Sequence, residues 1–466
     1  MGPHPTSLPV GNPTSSYWLS QPHPQLQNFC SSEKLPAYAD TVIIGSGISG
    51  SLIAHELCTR RSHGADKPVI MLEARSLASG ATGRNGGHIK PDCYKNFASY
   101  QRRHGTEVAK SLCRFELDNM RESVKFITEQ GLAETVDLVE TKSVDFFMTQ
   151  KAWVDAQESL KLYSKANGDL REIEAYDKAE AENKFRFSGI CGAVTYPACS
   201  LWPYKLAVGL VEKAVANGMQ LFTHTAALKI TPASERKWQI HTSRGPILCD
   251  KIFHATNGYV SHLLPELTRK VVPVKGNVIA MEPSPELAAC PLPHTAGVQW
   301  GEDFDYMIQR PVDGKPLIYG GGDLHHKRKL LGPVGDADDS TTTPEIVSAL
   351  LRFPIDHIRG WGPESIPRYT WSGVMGLTAD GFPFVGGVPG RPGQFASVGY
   401  TGHGMARVVL TIRALMQAFF NEPIDSRVPQ LYFDITKRLE EKDDEWEVML
   451  NRAYETAQAE RLLAKF

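Results

Sequence analysis

Thr41-Val42-Ile43-Ile44-Gly45-Ser46-Gly47-Ile48-Ser49-Gly50 decides how this chain is read. Thr41–Ile44 is an apolar run suited to a buried strand, and Ile48, Leu52, Ile53 and Leu57 recur on one side of a helix over 48–60. A second apolar strand, Val69–Leu72, closes at Glu73 and completes a βαβ unit. In that context Gly45 permits the tight turn, Gly47 lets the backbone approach a pyrophosphate, and Gly50 lets the helix pack close to the strand. Glu73 stands where a carboxylate accepts hydrogen bonds from ribose hydroxyls, and its charge repels a 2′-phosphate, which argues against NADP. A coincidental glycine turn would lack the strand, the spacing and the acid together.

A second segment of the same kind lies near the other end of the chain: Ser397-Val398-Gly399-Tyr400-Thr401-Gly402-His403-Gly404-Met405. It too reads as strand, glycine turn and helix start. Each turn offers backbone N–H groups and a positive helix end to an anion. Two such sites point to one large cofactor gripped at both ends.

The bulk numbers agree with a globular protein. At 466 residues and 42% hydrophobic content the chain buries a large core, with length for two or more lobes. Fifty basic and fifty-two acidic residues leave a formal charge of −2 with no long basic stripe, which argues against nucleic acid as a partner. The eight cysteines are scattered, without a C-x-x-C pair or a zinc-like Cys/His set, so no metal is expected and reduced thiols in an intracellular, cytoplasmic protein are. Neither a signal peptide in 1–38 nor an apolar stretch of membrane-spanning length is read. Ala464-Lys465-Phe466 ends in phenylalanine where a peroxisomal Ser-Lys-Leu address has leucine, and no address is assigned.

The expected fold class is α/β with an α+β substrate lobe: a Rossmann-like cofactor-binding domain carrying an inserted, mainly antiparallel-sheet substrate domain. Residues 1–38 form an arm lying over the body, partly ordered by Tyr17, Trp18 and Leu19. Residues 39–100, 196–270 and 365–435 are assigned to the cofactor domain, 101–195 and 271–364 to the substrate domain, and 436–466 to a C-terminal helix with Trp446, Met449, Leu450, Ala453 and Ala457 on one face. Helical periodicity over 106–130 stops at Gly131, another helix follows Trp202-Pro203, and strands are expected at 146–148, 220–224, 238–242, 252–255, 278–281, 306–309 and 317–319.

After Glu73 comes the turn-rich stretch Ser79-Gly80-Ala81-Thr82-Gly83-Arg84-Asn85-Gly86-Gly87-His88, suited by its N–H groups and the Arg84 charge to run beside a pyrophosphate and a flavin ring. With Trp371-Ser372-Gly373-Val374-Met375-Gly376-Leu377-Thr378-Ala379-Asp380-Gly381-Phe382-Pro383 and the Gly399–Met405 turn, it resembles the D-amino-acid oxidase family of FAD-dependent oxidoreductases, in its sarcosine oxidase-like and gamma-glutamylputrescine oxidase-like branch. The resemblance covers roughly residues 15–430. It implies that Gly45, Ser46, Gly47, Ile48 and Ser49 line the pyrophosphate, and Glu73 and Ala74 the ribose. Thr82, Arg84, Asn85, Gly87 and His88 are placed along the ribityl chain and the ring, and backbone at Ala227 holds the adenine. Asp380, Gly402, His403, Gly404 and Met405 meet the ribityl chain and the pyrimidine edge, where a helix start suits the negative charge of reduced flavin.

The chain departs from that pattern in three places. The cysteine that tethers FAD in sarcosine oxidase-like enzymes falls near Gly373, so noncovalent FAD is expected, with His88 as the alternative tether. The carboxylate-binding lysine after Gly-His-Gly is replaced in the Ala406-Arg407 region, and the lysine that promotes reaction with oxygen falls at Ile318. The arginine that D-amino-acid oxidases use for the substrate carboxylate is missing from 371–383. Substrate-side candidates are His403, His88, Lys90, Lys275, Tyr306, Arg310 and Trp371. Lys275 or Arg310 could hold an anion, the plain alternative being an ion-paired residue, and Trp371 could wall the flavin or pack in the core.

The expected reaction is oxidation of the C–N bond of an amine or amino-acid-like small molecule by hydride transfer to flavin N5, with oxygen or another electron acceptor as oxidant. A 2-hydroxy acid dehydrogenase, which needs a base such as His88 or His403, and a tailoring flavoenzyme for a larger metabolite are the alternatives. A nucleotide-binding regulator without catalysis stands outside the enzyme class.

Overall fold

The computed structural model describes residues 4–60, 67–234, 237–301 and 303–463. Two mixed sheets with flanking helices form it. The first is built on the βαβ unit: strands Tyr38–Ile44 and Val69–Leu72 are parallel and joined through helix Ile48–Arg60. Strand Gly245–His254 adds in parallel on the other side of Tyr38–Ile44, followed by Gln394–Val398, while Gln220–Phe222 extends the opposite edge. The apolar run Val42–Ile44 is buried on both faces, as a central parallel strand requires. Strand order therefore reverses at Tyr38–Ile44, which places the first glycine turn at a topological switch point.

The second sheet has nine strands and is antiparallel apart from the pairing of Thr295–Gln299 with Val139–Phe147. Its long antiparallel pair is Val272–Met281 with Pro367–Leu377, and Leu317–Gly320 and then Phe304–Gln309 lie beside Val272–Met281. Helix Gly404–Phe419 starts at the second glycine turn and packs against Thr106–Glu129 and Ile48–Arg60.

Sheet membership departs from the expected boundaries at two points. Residues 196–200 belong to strand Gly192–Ser200 and residues 367–377 pair with 272–281, so both lie in the nine-stranded sheet although 196–270 and 365–435 were assigned to the cofactor domain. An apolar strand carries no mark of which sheet takes it up. Helix Thr106–Glu129, expected on the substrate side, packs on Gly404–Phe419. At the C-terminus, helices Ile435–Glu440 and Asp444–Leu463 replace the single helix expected over 436–466, because Asp443 accepts the Trp446 amide (2.9 Å) and starts a new helix. Leu450 and Ala453 are buried beside Trp446 and Met449, as the expected face requires; the Ala457 side chain and residues 464–466 lie outside the described residues.

The arm is drawn much further in than a surface strap. Trp18 is fully buried, its indole N–H donating to Asn85 O (2.5 Å) while its own carbonyl accepts from the Trp202 indole (2.7 Å). Thr14 binds both Asp339 O and the Ser372 amide.

Candidate active site

The C-terminal ends of the parallel strands open into a cavity shared with the nine-stranded sheet. Gly45 sits at φ +101°, and a Cβ there would stand 2.8 Å from Ala255 O at the end of the neighbouring strand. Gly50 is tighter: a Cβ would lie 2.0 Å from Gly45 O, so the helix reaches the turn only because the side chain is absent. Glu73 closes the turn from the next strand, accepting from the Ser46 amide (3.0 Å) and hydroxyl (2.6 Å) and from the Arg75 amide (2.9 Å). Thr82 Oγ1 accepts from the Ile48 amide (2.8 Å), which pins the Ser79–His88 stretch to the helix start.

The second turn opens into the same cavity. Asn257, at φ +45°, receives the amides of Gly399 (2.9 Å) and Tyr400 (3.4 Å) on Oδ1, and Thr401 N donates to Gly376 O (2.9 Å). His403 precedes the helix without side-chain capping, and Gly402, His403, Gly404 and Met405 all line the cavity.

Of the residues expected to contact the cofactor, Gly45, Ser46, Gly47, Ile48, Ser49, Glu73, Ala74, Thr82, Arg84, Asn85, His88 and Ala227 also line the cavity. Two do not. Gly87 backs onto the arm, where a Cβ would meet the Trp18 ring at 2.6 Å. Asp380 holds Arg438 through both oxygens at 2.8 Å, so it anchors the helix 435–440. Arg84 lines the cavity, but its guanidinium donates to Ser79 O, Thr14 and Ser372 O and lies 3.4 Å from Asp339. Burial lowers its pKa to about 10. Its charge is spent inside the protein, against the expectation that it faces the pyrophosphate.

The substrate-side candidates separate in the same way. His88, Lys90, Tyr306 and His403 line the cavity. His88 stands edge-on to Tyr306, neither ring nitrogen has a hydrogen-bond partner among the described residues, and burial lowers its pKa to about 3. Lys90 pairs with Asp145 at 2.8 Å. Lys275, Arg310 and Trp371 are not among the lining residues. Lys275 reaches Asp336 (2.6 Å), and Arg310 lies between the Trp18 and Trp202 rings with Nη2 on Asp137 (2.7 Å). Trp371 is core, its indole donating to Arg84 O (2.8 Å). Ile318 is likewise fully buried.

Several lining residues were not singled out from sequence: Ala255-Thr256-Asn257-Gly258-Tyr259, Val374, Met375, Phe304, Asp303 and Asp323. The Thr-Asn-Gly turn straight after the expected strand at 252–255 was the available signal for the first group. Nothing local marks the carboxylates. Asp323 has no side-chain hydrogen bond or ion pair among the described residues, and burial, then Asp303 and Asp305, pushes its pKa up to about 7.

Two helix starts and a strand-end carboxylate around one elongated cavity fit a dinucleotide carrying a central diphosphate. Fold and cavity together are of the dinucleotide-binding class. Residues 40–417 match the family model DAO, described as FAD dependent oxidoreductase, and the chain belongs to that family. It is an FAD-dependent enzyme. It is 25% identical over 391 residues to gamma-glutamylputrescine oxidoreductase of Escherichia coli (strain K12), covering 81% of this chain and 83% of that one. Glycine oxidase of Geobacillus kaustophilus (strain HTA426) is 22% identical over 377 residues, covering 80% and 90%. The crystal structure of glycine oxidase from Geobacillus kaustophilus superposes with TM-score 0.69 at 20% identity, covering 85% of this chain and 98% of that one. No described helix is long and apolar enough to cross a membrane.

Proposed function

We propose that this enzyme oxidises the C–N bond of a small amine, and that its FAD is bound noncovalently. The observation that carries the substrate class is the charge balance of the cavity wall. Its Arg and Lys side chains, Arg75, Arg84 and Lys90, each face a carboxylate, from Asp339, Asp339 and Asp145. Asp323, in contrast, has no partner among the described residues. Arg407, in the region where a carboxylate anchor would stand, is buried against Glu116 at 2.6 Å. Such a wall favours an ammonium-bearing substrate over an amino acid or a 2-hydroxy acid, whose carboxylate would meet no free cation there. The names of gamma-glutamylputrescine oxidoreductase and glycine oxidase among its relatives support nitrogen compounds in general.

Bound FAD supplies the two-electron acceptor for the hydride that leaves the carbon next to nitrogen. The chain's own part is to orient that carbon, to exclude water with His88, Phe304 and Tyr306, and to bring the amine to its neutral form. Noncovalent binding is supported at Gly373, where a Cβ would already stand 2.9 Å from the Arg84 Cβ, leaving no room for the tethering cysteine.

The test is anaerobic reduction of the purified holoenzyme, followed at the flavin band near about 450 nm. Amines without a carboxylate are expected to bleach it at least about tenfold faster than the matching amino acids, a difference of about 1.4 kcal/mol. Bleaching by amino acids or 2-hydroxy acids alone would overturn the substrate class. Acid precipitation should leave FAD in the supernatant; a yellow pellet refutes noncovalent binding.

A further inference from the structure

Glu116 is a carboxylate in the interior of the helix Thr106–Glu129, only 3% exposed, at a position where the helix pattern calls for an apolar residue. A charge so placed needs partners, and it has three: two from the start of the helix after the second turn and one from the segment around Asp92. Arg407 Nε, from the helix after the second turn, donates to Oε1 at 2.6 Å, and the Asp92 amide donates to Oε2 at 2.6 Å. His403 Nδ1 stands 3.5 Å from that same Oε2, and His403 is one of the residues that line the cavity. Arg407 is itself fixed, its Nη1 donating to Gly381 O (2.5 Å) and its guanidinium lying 5.4 Å above the Phe382 ring.

We propose that Glu116 is a positioning residue for His403: it holds the ring with Nδ1–H turned to the carboxylate, so that Nε2 presents a lone pair to the substrate nitrogen. Burial opposes ionisation of Glu116, yet Arg407 and then His403 hold its carboxyl at about 2, so it is an acceptor only near neutral pH. The proton on Nδ1 is thereby specified, and the opposite ring nitrogen is the basic one. For the proton this inference rests on the amine reading above. An incoming ammonium loses its proton to Nε2: the N–H bond breaks, an Nε2–H bond forms, and the positive charge moves to the ring beside Glu116. The neutral amine left behind has a free lone pair, which could form the C=N bond while bound FAD would accept the hydride.

The other titratable groups around this carboxylate are the thiols of Cys93 and Cys113, the phenols of Tyr100 and Tyr432, and Lys95. Burial raises the pKa of both thiols and both phenols, and Asp92 and Asp145 keep Lys95 charged against its burial. None of these changes charge near neutral pH. The plain competitor is a buried ion pair that only joins the two helices, with His403 a bystander.

Glu116→Gln, His403→Gln and the double variant separate the two, measured as FAD-loaded enzyme with whichever amine bleaches the wild type fastest. Glu116→Gln should lower kcat about tenfold or more while KM stays within about twofold, and in the His403→Gln background it should cost nothing further. A second readout needs no substrate: the pH-dependent change in flavin absorbance that His403→Gln abolishes should occur at lower pH in Glu116→Gln. Where Glu116→Gln fails to retain FAD, Glu116→Asp, which keeps an anion against Arg407, is read in the same two ways. An equal loss in the His403→Gln background, or an unmoved absorbance titration, overturns the assignment. An enzyme that no amine reduces but whose titration moves as expected refutes the amine reading and leaves the positioning role standing.

Discussion

The two glycine turns look alike in sequence and are held in opposite ways. The first is closed by contact: Gly50 approaches Gly45 O so nearly that a Cβ would stand at 2.0 Å, and Gly45 presses on Ala255 O. The second is tight only at its first glycine, where a Cβ at Gly399 would lie 2.7 Å from Thr378 Cγ2; beyond it the turn hangs from Asn257, which takes two of its amides, and a Cβ at Gly404 would find nothing nearer than Tyr400 Cβ at 3.7 Å. Contact geometry gives a rigid cradle for a fixed anionic group. The suspended turn brings His403 to the cavity wall.

Four measurements break or sharpen this contrast. The largest effect is expected at Asp339, 1% exposed, the acid that faces both Arg75 and Arg84 beside the first turn. Asp339→Ala leaves two buried guanidiniums with their shared acid gone, and should cost about 3–5 kcal/mol in denaturant unfolding. Gly50→Ala should cost about 3 kcal/mol by overpacking and abolish FAD retention on gel filtration, whereas Gly404→Ala should keep FAD and change stability by less than about 1 kcal/mol. Equal effects at both glycines would erase the distinction. Asn257→Ala strands two amides and should cost about 1–2 kcal/mol, read as roughly tenfold weaker FAD binding with the apoprotein still folded.

The remaining prediction concerns pH. Asp323 titrates at about 7 in the folded protein, against 3.8 as the ordinary value, with burial as the main cause. The unfolded chain therefore releases this proton first, and the folded state loses stability as pH rises from about 4 to about 7. Asp323→Asn should stabilise the ligand-free enzyme by a few kcal/mol at pH 8 at most, roughly, and leave it unchanged near pH 4. An effect of equal size at both pH values would show that Asp323 is ionised throughout.

What could be read from sequence was whatever a short window encodes. Strand Val69–Leu72 and helix Ile48–Arg60 stand where their patterns put them, and both turns face one cavity. What sequence left open falls on residues whose partners are remote. Lys275 and Arg310 could hold an anion or be ion-paired, and Asp380 could meet the cofactor, until Asp336, Asp137 and Arg438 are brought beside them by folding. Glu116 meets Arg407 across 291 positions, and Arg75 meets Asp339 across 264. No spacing rule reaches that far. Trp371 was left between wall and core, and only the Arg84 carbonyl that accepts its N–H decides for the core.

The buried arm has a consequence in time. Thr14 binds the Ser372 amide, a partner 358 residues later in the chain. At a synthesis rate of about 5–20 residues per second, roughly 20–70 s pass before that partner exists. Through that interval Tyr17 and Trp18, which end with 1% and 0% of their surface exposed, have no finished site to enter. The arm is thus among the last segments to find its place, and a nascent chain stalled before residue 372 would hold Tyr17 and Trp18 without their full enclosure.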